Sequence, residues 1–133
     1  MKKTILIVDD SKDIRELLIR LVEHYLSLSS IKNKVMPEVI EAEDGEKAWN
    51  ILSRKKIVPD LIITDYQMPK MNGLELIKKI QDELRHLELK IILHSSYLPA
   101  RYEAENLGCM FIFKAGREKK IFNLMVNMDL FSA

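Results

Sequence analysis

The sequence has few of the features that mark secreted, membrane-spanning or nucleic-acid-binding proteins. It contains one cysteine, Cys109, so no internal disulfide can form. Its apolar stretches fall well short of the roughly 20 residues that span a bilayer, and the first of them is too short for a signal peptide. The 21 basic residues nearly cancel the 20 acidic ones, so the average field favours neither nucleic acid nor an anionic membrane. These absences predict a cytoplasmic protein that binds neither nucleic acid nor membrane.

Short apolar runs alternate with amphipathic segments along the chain. Its 133 residues suffice for one domain with a core, so we expect a single domain over residues 1–133 without an output domain. Strands are predicted at residues 4–8, 38–42, 60–64, 90–95 and 110–113. Helices are predicted after the caps Ser11 and Asp44, from Gly73, over 102–108 with a stop at Gly108, and over 117–129. The polar stretch 27–37 is predicted to be a long connection. This alternation indicates an α/β fold, a parallel sheet with helices on both faces.

Polar side chains follow four of the predicted strands, at the point where each strand ends. Asp9 and Asp10 follow the first strand, Asp65 the third, Ser95 the fourth and Lys114 the fifth. In open parallel sheets the ligand crevice lies beyond the carboxyl ends of the strands. We therefore expect these groups to meet at one edge of the sheet.

Four motifs resemble the receiver domain of the bacterial two-component response regulators. "ILIVDDS" resembles the acidic pair of that family, "DLIITDYQMPKMNG" its phosphoacceptor strand and loop, "IILHSS" its switch strand, and "FIFK" its lysine site. They occur in the family's order and extend over nearly the whole chain. The resemblance implies a flavodoxin-like, doubly wound sheet of five parallel strands in the order 2-1-3-4-5, with five helices.

The resemblance also implies a signalling switch rather than an enzyme. A histidine kinase or a histidine phosphotransfer protein would supply the phosphoryl group, and Asp65 would accept it. Output would pass to a downstream protein target or to an effector domain missing from this chain, and a homodimer through the fourth and fifth helices is one arrangement that the resemblance suggests.

By matching positions, the resemblance implies a Mg²⁺ site. Asp10 and Asp65 would be direct ligands, Asp9 a ligand mainly through water, and Gln67 would supply its backbone carbonyl. The chemistry of the residues agrees, because crowded carboxylates repel one another unless a cation is present, and Mg²⁺ prefers oxygen ligands.

Further roles follow for the residues around Asp65. The ammonium of Lys114 would neutralise phosphoryl charge, and Ser95 would donate its hydroxyl to a phosphoryl oxygen. Ser95 and Phe111 would form the switch pair, which reshapes the surface of the fourth helix, fifth strand and fifth helix.

Several positions depart from the family's usual pattern. Ser96 stands where alanine is usual, and Phe111 lacks the hydroxyl of the more frequent tyrosine. Ala115 replaces a proline whose peptide bond is often cis, and this departure bears on the direction of Lys114. Gln67 and Tyr97 occupy the positions that tune water access together with Ser96, and their bulk predicts slow self-hydrolysis.

Each residue also has a purely structural interpretation when it is considered alone. The acidic pair could be a helix cap, Asp65 the start of a turn, Ser95 structural and Lys114 a solvated surface residue. His94 is predicted to be a buried or edge side chain rather than a ligand, and Cys109 a small core residue.

Two other functions compete with the phosphoacceptor interpretation. One is a degenerate receiver that acts as a phosphorylation-independent interaction module, which the complete set of site residues argues against. The other is a phosphohydrolase with an aspartyl intermediate. Such enzymes commonly need a second acid two residues after the nucleophile, where this chain has Gln67.

Overall fold

The computed structural model describes residues 2–132, in which five parallel strands are flanked by five α-helices. The strands are β1 Thr4–Val8, β2 Glu38–Ala42, β3 Leu61–Thr64, β4 Ile91–Ser95 and β5 Met110–Phe113. The helices are α1 Lys12–Leu28, α2 Gly45–Ser53, α3 Gly73–Glu83, α4 Ala100–Asn106 and α5 Lys119–Asn127. The sheet order is β2-β1-β3-β4-β5 with parallel pairing throughout. The predicted fold class is confirmed.

Alternate residues of each strand enter two separate core layers. In β1, Ile5 and Ile7 pack among residues of α1 and α5, whereas Leu6 and Val8 pack among residues of α2, α3 and α4. Since both faces are covered by helices, the central strands are mostly apolar and carry no polar alternation. Their first charged side chains, Asp9 after β1 and Asp65 after β3, therefore follow the strand ends.

Three helices begin at side-chain caps, and this fixes the loops that precede them. The Ser11 hydroxyl accepts a hydrogen bond from the backbone N–H of Ile14, and Asp44 accepts one from Lys47, as predicted. α3 begins with a capping box that the sequence interpretation did not include, in which Asn72 and Glu75 each accept from the other's backbone N–H. Such caps satisfy amides that the helix itself leaves unpaired.

The predicted connection at 27–37 was placed too early. α1 continues to Leu28, because the ammonium of Lys34 donates to the carbonyls of Leu26 (2.7 Å) and Ser29 (3.1 Å) and so satisfies the helix end. The connection is also tied to the C-terminal segment, since the backbone N–H of Val35 donates to the carbonyl of Phe131 at 2.7 Å.

The boundaries of the last two helices also differ from prediction. α4 begins at Ala100, before the predicted residue 102, and α5 covers Lys119–Asn127 rather than 117–129. A 3₁₀ turn at Arg85–Leu87 was not predicted.

Candidate functional site

The carboxyl ends of β1 and β3 bring three carboxylates together. One oxygen each from Asp9, Asp10 and Asp65 lies within 4.8 Å of the others. Asp9 and Asp65 are buried, with 2% and 8% exposure, whereas Asp10 is exposed. The expected meeting of these acids at one sheet edge is therefore found.

Backbone contacts fix the position of Asp65. Its N–H donates to the carbonyl of Val8 at 2.8 Å and extends the β1–β3 ladder by one residue. Its Oδ1 accepts a hydrogen bond from the backbone N–H of Tyr66 at 2.7 Å. Burial raises the pKa of the Asp65 carboxyl; Lys114 acts in the opposite direction, and Asp9 adds to the rise. A nearby cation therefore favours the ionised form of this group.

The side chain of Lys114 enters the acidic cluster from β5. Its Nζ lies 2.8 Å from Oδ2 of Asp9 and 3.1 Å from Oδ2 of Asp65. Burial lowers the pKa of Lys114, but its contacts with the two carboxylates outweigh this and raise the pKa above its ordinary value. The ammonium is therefore held charged between two buried acids.

The backbone around Lys114 accommodates alanine at the position where the family usually has proline. The N–H of Lys114 donates to the carbonyl of Ser95 at 3.0 Å, which continues the β4–β5 pairing. Every peptide bond between residues 2 and 132 is trans, and Ala115 has a φ of +89°. The ladder bond therefore directs Lys114 toward the acids without a proline.

Asp9 accepts hydrogen bonds from Ser11 and Arg15 as well as from Lys114. Its Oδ1 accepts from the N–H of Ser11 at 2.9 Å, and its backbone carbonyl accepts from Nη1 of Arg15 at 2.6 Å. Arg15 also donates from Nε to Glu41 at 2.9 Å. The role of Arg15 was not predicted, because it depends on how the first turn of α1 lies against β2.

Ser95 is buried, with 2% exposure, at the end of β4. Its Oγ accepts a hydrogen bond from the backbone N–H of Tyr97 at 3.1 Å. The adjacent Ser96 is exposed, as is Gln67 in the loop after β3. Tyr97 stacks on Tyr66, with ring centroids 5.2 Å apart and planes 9° apart.

Phe111 lies in β5, which pairs with the edge of β4 opposite β3. It is half-buried, its register partner in β4 is Leu93, and it packs against the α2–α4 core layer. It also lines a cleft of about 410 Å³ on the face formed by α4, β5 and α5, which Arg101 and Arg117 line as well.

Gly73 contributes to the site in a way that the sequence interpretation missed. A Cβ at this position would lie 2.0 Å from the carbonyl oxygen of Asp65. Its N–H donates to the carbonyl of Tyr66 at 2.8 Å. The absence of a side chain thus lets α3 begin directly against the loop that follows β3; the sequence predicts a helix from Gly73 but not this contact.

The two residues predicted to be structural are buried. His94 is 3% exposed, and its pKa is lowered to about 4, mainly by burial and next by Lys114. Cys109 is 7% exposed within the α2–α4 core layer, and burial raises the pKa of its thiol.

The donor set of the acidic cluster fits a hard divalent cation. All three groups are carboxylates, two of them are buried, and Lys114 supplies only one positive charge among them. Oxygen donors of this kind suit Mg²⁺ better than they suit softer metals.

Among residues 2–132 no helix is both long and apolar enough to cross a membrane.

The chain is similar to known chemotaxis and response regulator proteins. The chain is 37% identical over 89 residues to a chemotaxis protein CheY homolog from Campylobacter jejuni, an alignment that covers 67% of this chain and 61% of that protein. The chain thus spans about three fifths of that relative's length.

Solved structures extend the likeness over almost the whole chain. A response regulator receiver protein from Pseudomonas putida superposes with a TM-score of 0.74 at 28% identity, covering 96% of this chain and 98% of that one. The response regulator protein TrrA from Thermotoga maritima, solved in complex with Mg(2+)-BeF, gives a TM-score of 0.74 at 27% identity and covers 95% and 98% of the two chains. The family model for the response regulator receiver domain matches residues 5–125 of this chain, and the chain belongs to this family.

Proposed function

We propose that Asp65 accepts a phosphoryl group from a histidine kinase or a histidine phosphotransfer protein. The observation that supports this proposal is the position of its carboxylate, which lies 3.1 Å from the ammonium of Lys114 and has an oxygen within 4.8 Å of oxygens of Asp9 and Asp10. Receiver domains are signalling switches of two-component systems rather than conventional enzymes.

The transfer requires alignment and charge neutralisation more than covalent help from the protein. A carboxylate oxygen of Asp65 forms a bond to phosphorus while the bond from phosphorus to the donor's imidazole nitrogen breaks, and the electron pair of that bond stays on the nitrogen. The Tyr66 N–H holds Oδ1 of Asp65, and Lys114 lies beside Oδ2. We infer that Lys114 neutralises phosphoryl charge as a point cation.

Receiver domains bind Mg²⁺ at an acidic pocket, and we infer the ligands in this chain. Asp10 and Asp65 would hold the ion directly, Asp9 through water, and Gln67 through its backbone carbonyl. When bound, the ion supplies positive charge at the phosphoryl oxygens.

We further infer that phosphorylation changes a protein-interaction surface. Ser95 would donate its hydroxyl to a phosphoryl oxygen, and Phe111 would turn with it. The position of Phe111 in the cleft between α4, β5 and α5 supports this, because its movement would alter that cleft. The changed surface would be recognised by a downstream protein target, by a missing effector domain, or by a second copy of the chain that binds through α4 and α5.

The remaining predictions about cellular context belong to the same proposal. We expect the domain to act in the cytoplasm and to bind neither nucleic acid nor membrane through its own surface. We also expect residues 1–133 to form a single receiver domain; Met1 and Ala133 lie outside the described residues.

The test is intact-mass measurement after incubation with Mg²⁺ and a small phosphodonor. Native chain should gain one phosphoryl group, and Asp65→Asn should gain none. Asp82→Asn is the matched control, because Asp82 is an exposed carboxylate of α3, and it should behave as native. Uptake should also stop in the presence of a chelator.

Three outcomes would contradict the proposal. Equal labelling of the native chain and of Asp65→Asn would place the phosphoryl group elsewhere. No labelling of a folded native chain, by small donors or by phosphotransfer proteins, would favour the phosphorylation-independent interaction module. Repeated turnover of external phosphate esters would instead favour the phosphohydrolase interpretation.

A further inference from the structure

The positive charges of this chain are concentrated at the amino ends of the strands, the end of the sheet opposite Asp65. Five segments enter the strands there, at residues 2–3, 29–37, 54–60, 84–90 and 107–109. They contain nine of the 21 basic residues but only two of the 20 acidic ones, Asp60 and Glu88. A chain with a net charge of +1 therefore has a strongly basic end.

The exposed cations at this end form no ion pairs. Lys2, Lys32, residues 54–56, Arg85 and Lys90 are exposed, and we call this set the basic edge. Eight other lysines and arginines of residues 2–132 pair with carboxylates, whereas no member of the basic edge does. The fold thus leaves these charges unneutralised, and they attract an anionic partner.

Backbone hydrogen bonds bring the segments of the basic edge side by side. The N–H of Asp60 donates to the carbonyl of Thr4 at 2.8 Å, and the N–H of Ile62 donates to the carbonyl of Lys90 at 2.9 Å. The segments that enter β2, β1, β3 and β4 are therefore neighbours, in the order of the sheet. At about 4.8 Å between strands, they extend over about 14 Å, a length that an extended peptide of about five residues covers.

The composition of these segments favours an acidic peptide over a nucleic acid or a lipid surface. None of them contains phenylalanine, tyrosine or tryptophan, so they offer no ring on which a base could stack. Asp60 and Glu88 are exposed among the cations, and a continuous array of phosphates would meet both carboxylates. Carboxylates spaced along a peptide can instead lie against the cations, and Val58, which is 54% exposed, offers an apolar contact between them.

We propose that the basic edge binds an acidic segment of a partner protein. This surface goes beyond the proposed function, because it lies far from the phosphoacceptor site. Lys3 and Asp9, at the two ends of β1, are about 20 Å apart at about 3.3 Å per residue. Exposed charges at that distance are screened at physiological ionic strength, where the Debye length is about 8 Å. The partner therefore binds with or without a phosphoryl group on Asp65.

The experiment measures binding of a fluorescent octaglutamate peptide by anisotropy. The native chain should bind it, and the affinity should fall at least about tenfold when the salt concentration rises from about 0.05 M to about 0.5 M. Lys55→Glu with Lys56→Glu should weaken binding at least about tenfold. Lys2→Glu with Lys90→Glu should do the same, because these residues belong to other segments of one surface. The second pair keeps the test decisive if the first pair fails to fold.

The matched control is Lys119→Glu with Lys120→Glu, which makes the same change of charge. Both residues are exposed in the first turn of α5, at the other end of the sheet. This variant should bind octaglutamate within about twofold of the native chain. All of these variants should take up phosphate at Asp65 as the native chain does, so phosphate uptake tests the proposed function separately.

Three results would overturn the proposal. An equal loss of binding in the control would show that net charge alone attracts the peptide. Failure of the native chain to bind octaglutamate at about 1 mM would show that the basic edge holds no acidic segment. Equal or tighter binding of a DNA strand of the same charge, or of phosphatidylglycerol vesicles, would assign the surface to a different class of partner.

Discussion

His94 is the buried side chain that we expect to govern stability in mild acid. It is 3% exposed in β4, opposite Ile112 of β5, and its Nε2 makes no hydrogen bond with any group in residues 2–132. Burial, followed by the charge of Lys114, lowers its pKa from 6.5 to about 4, although Glu118 and Asp9 act in the opposite direction. The folded chain therefore resists protonation of this ring.

The direction of the pH dependence follows from linkage. The pKa of His94 is lower in the folded chain than in the unfolded chain, so the unfolded chain binds the proton first as the pH falls. The contribution to stability is complete above pH 6.5 and is lost as the pH falls toward 4. With about 1.4 kcal/mol for each pH unit, the window from 6.5 to 4 corresponds to about 3 kcal/mol of unfolding free energy.

The assay is urea unfolding of the native chain and of His94→Leu at a series of pH values. Other groups titrate equally in both proteins, so the difference between their curves isolates His94. The native chain should lose about 3 kcal/mol more than His94→Leu over this window. His86→Gln, which removes an exposed histidine of the 3₁₀ turn, should follow the native curve. Parallel curves for native and His94→Leu would refute the reasoning.

Three further predictions concern the site itself. Gly73→Ala should destabilise the fold by about 3 kcal/mol or more, because its Cβ would lie 2.0 Å from the carbonyl oxygen of Asp65; a loss under about 1 kcal/mol in urea unfolding would contradict this. Lys114→Met should cost about 3 kcal/mol in chelator, since it leaves two buried carboxylates without their cation; an unchanged urea midpoint would show that the ion pair is unimportant. We expect the phosphorylated chain to lose its phosphate slowly, because the bulk of Gln67 and Tyr97 would obstruct the approach of water; a half-life of seconds, followed by mass measurement, would contradict this.

The sheet could be predicted from the sequence because its physics is local. Each central strand is buried on both faces, so its residues form a continuous apolar run and its end is marked by the first charge, as at Asp9 and Asp65. The caps Ser11 and Asp44 were predictable for the same reason, since a cap acts within three residues of itself.

The features that escaped prediction depend on residues that meet only after folding. Lys34 extends α1 by reaching back to the carbonyl of Leu26, eight residues away, which no periodicity signals. The Tyr66–Tyr97 stack depends on the relative position of the loops that follow β3 and β4. The capping box of Asn72 and Glu75 is an exception, because its spacing is visible in the sequence, although the prediction began the helix at Gly73 without it.

The loop after β5 shows how a departure from the family pattern is accommodated by the backbone. Ala115 has a φ of +89°, a region that non-glycine residues enter at a cost, and its N–H faces Oε1 of Glu118 at 3.4 Å. Proline cannot adopt this φ and has no N–H to donate.

Replacing Ala115 by proline should therefore destabilise the fold of this chain, although the family commonly has proline at this position. Ala115→Pro should lower the unfolding free energy by about 2 to 3 kcal/mol and displace Lys114 from its two carboxylates. Ala115→Gly should instead raise the unfolding free energy by about 1 kcal/mol, because glycine adopts a positive φ without steric cost. Urea unfolding of both variants decides the matter. If the proline variant is the more stable of the two, the loop takes a different backbone path, and the direction of Lys114 must be explained by something other than the β4–β5 ladder.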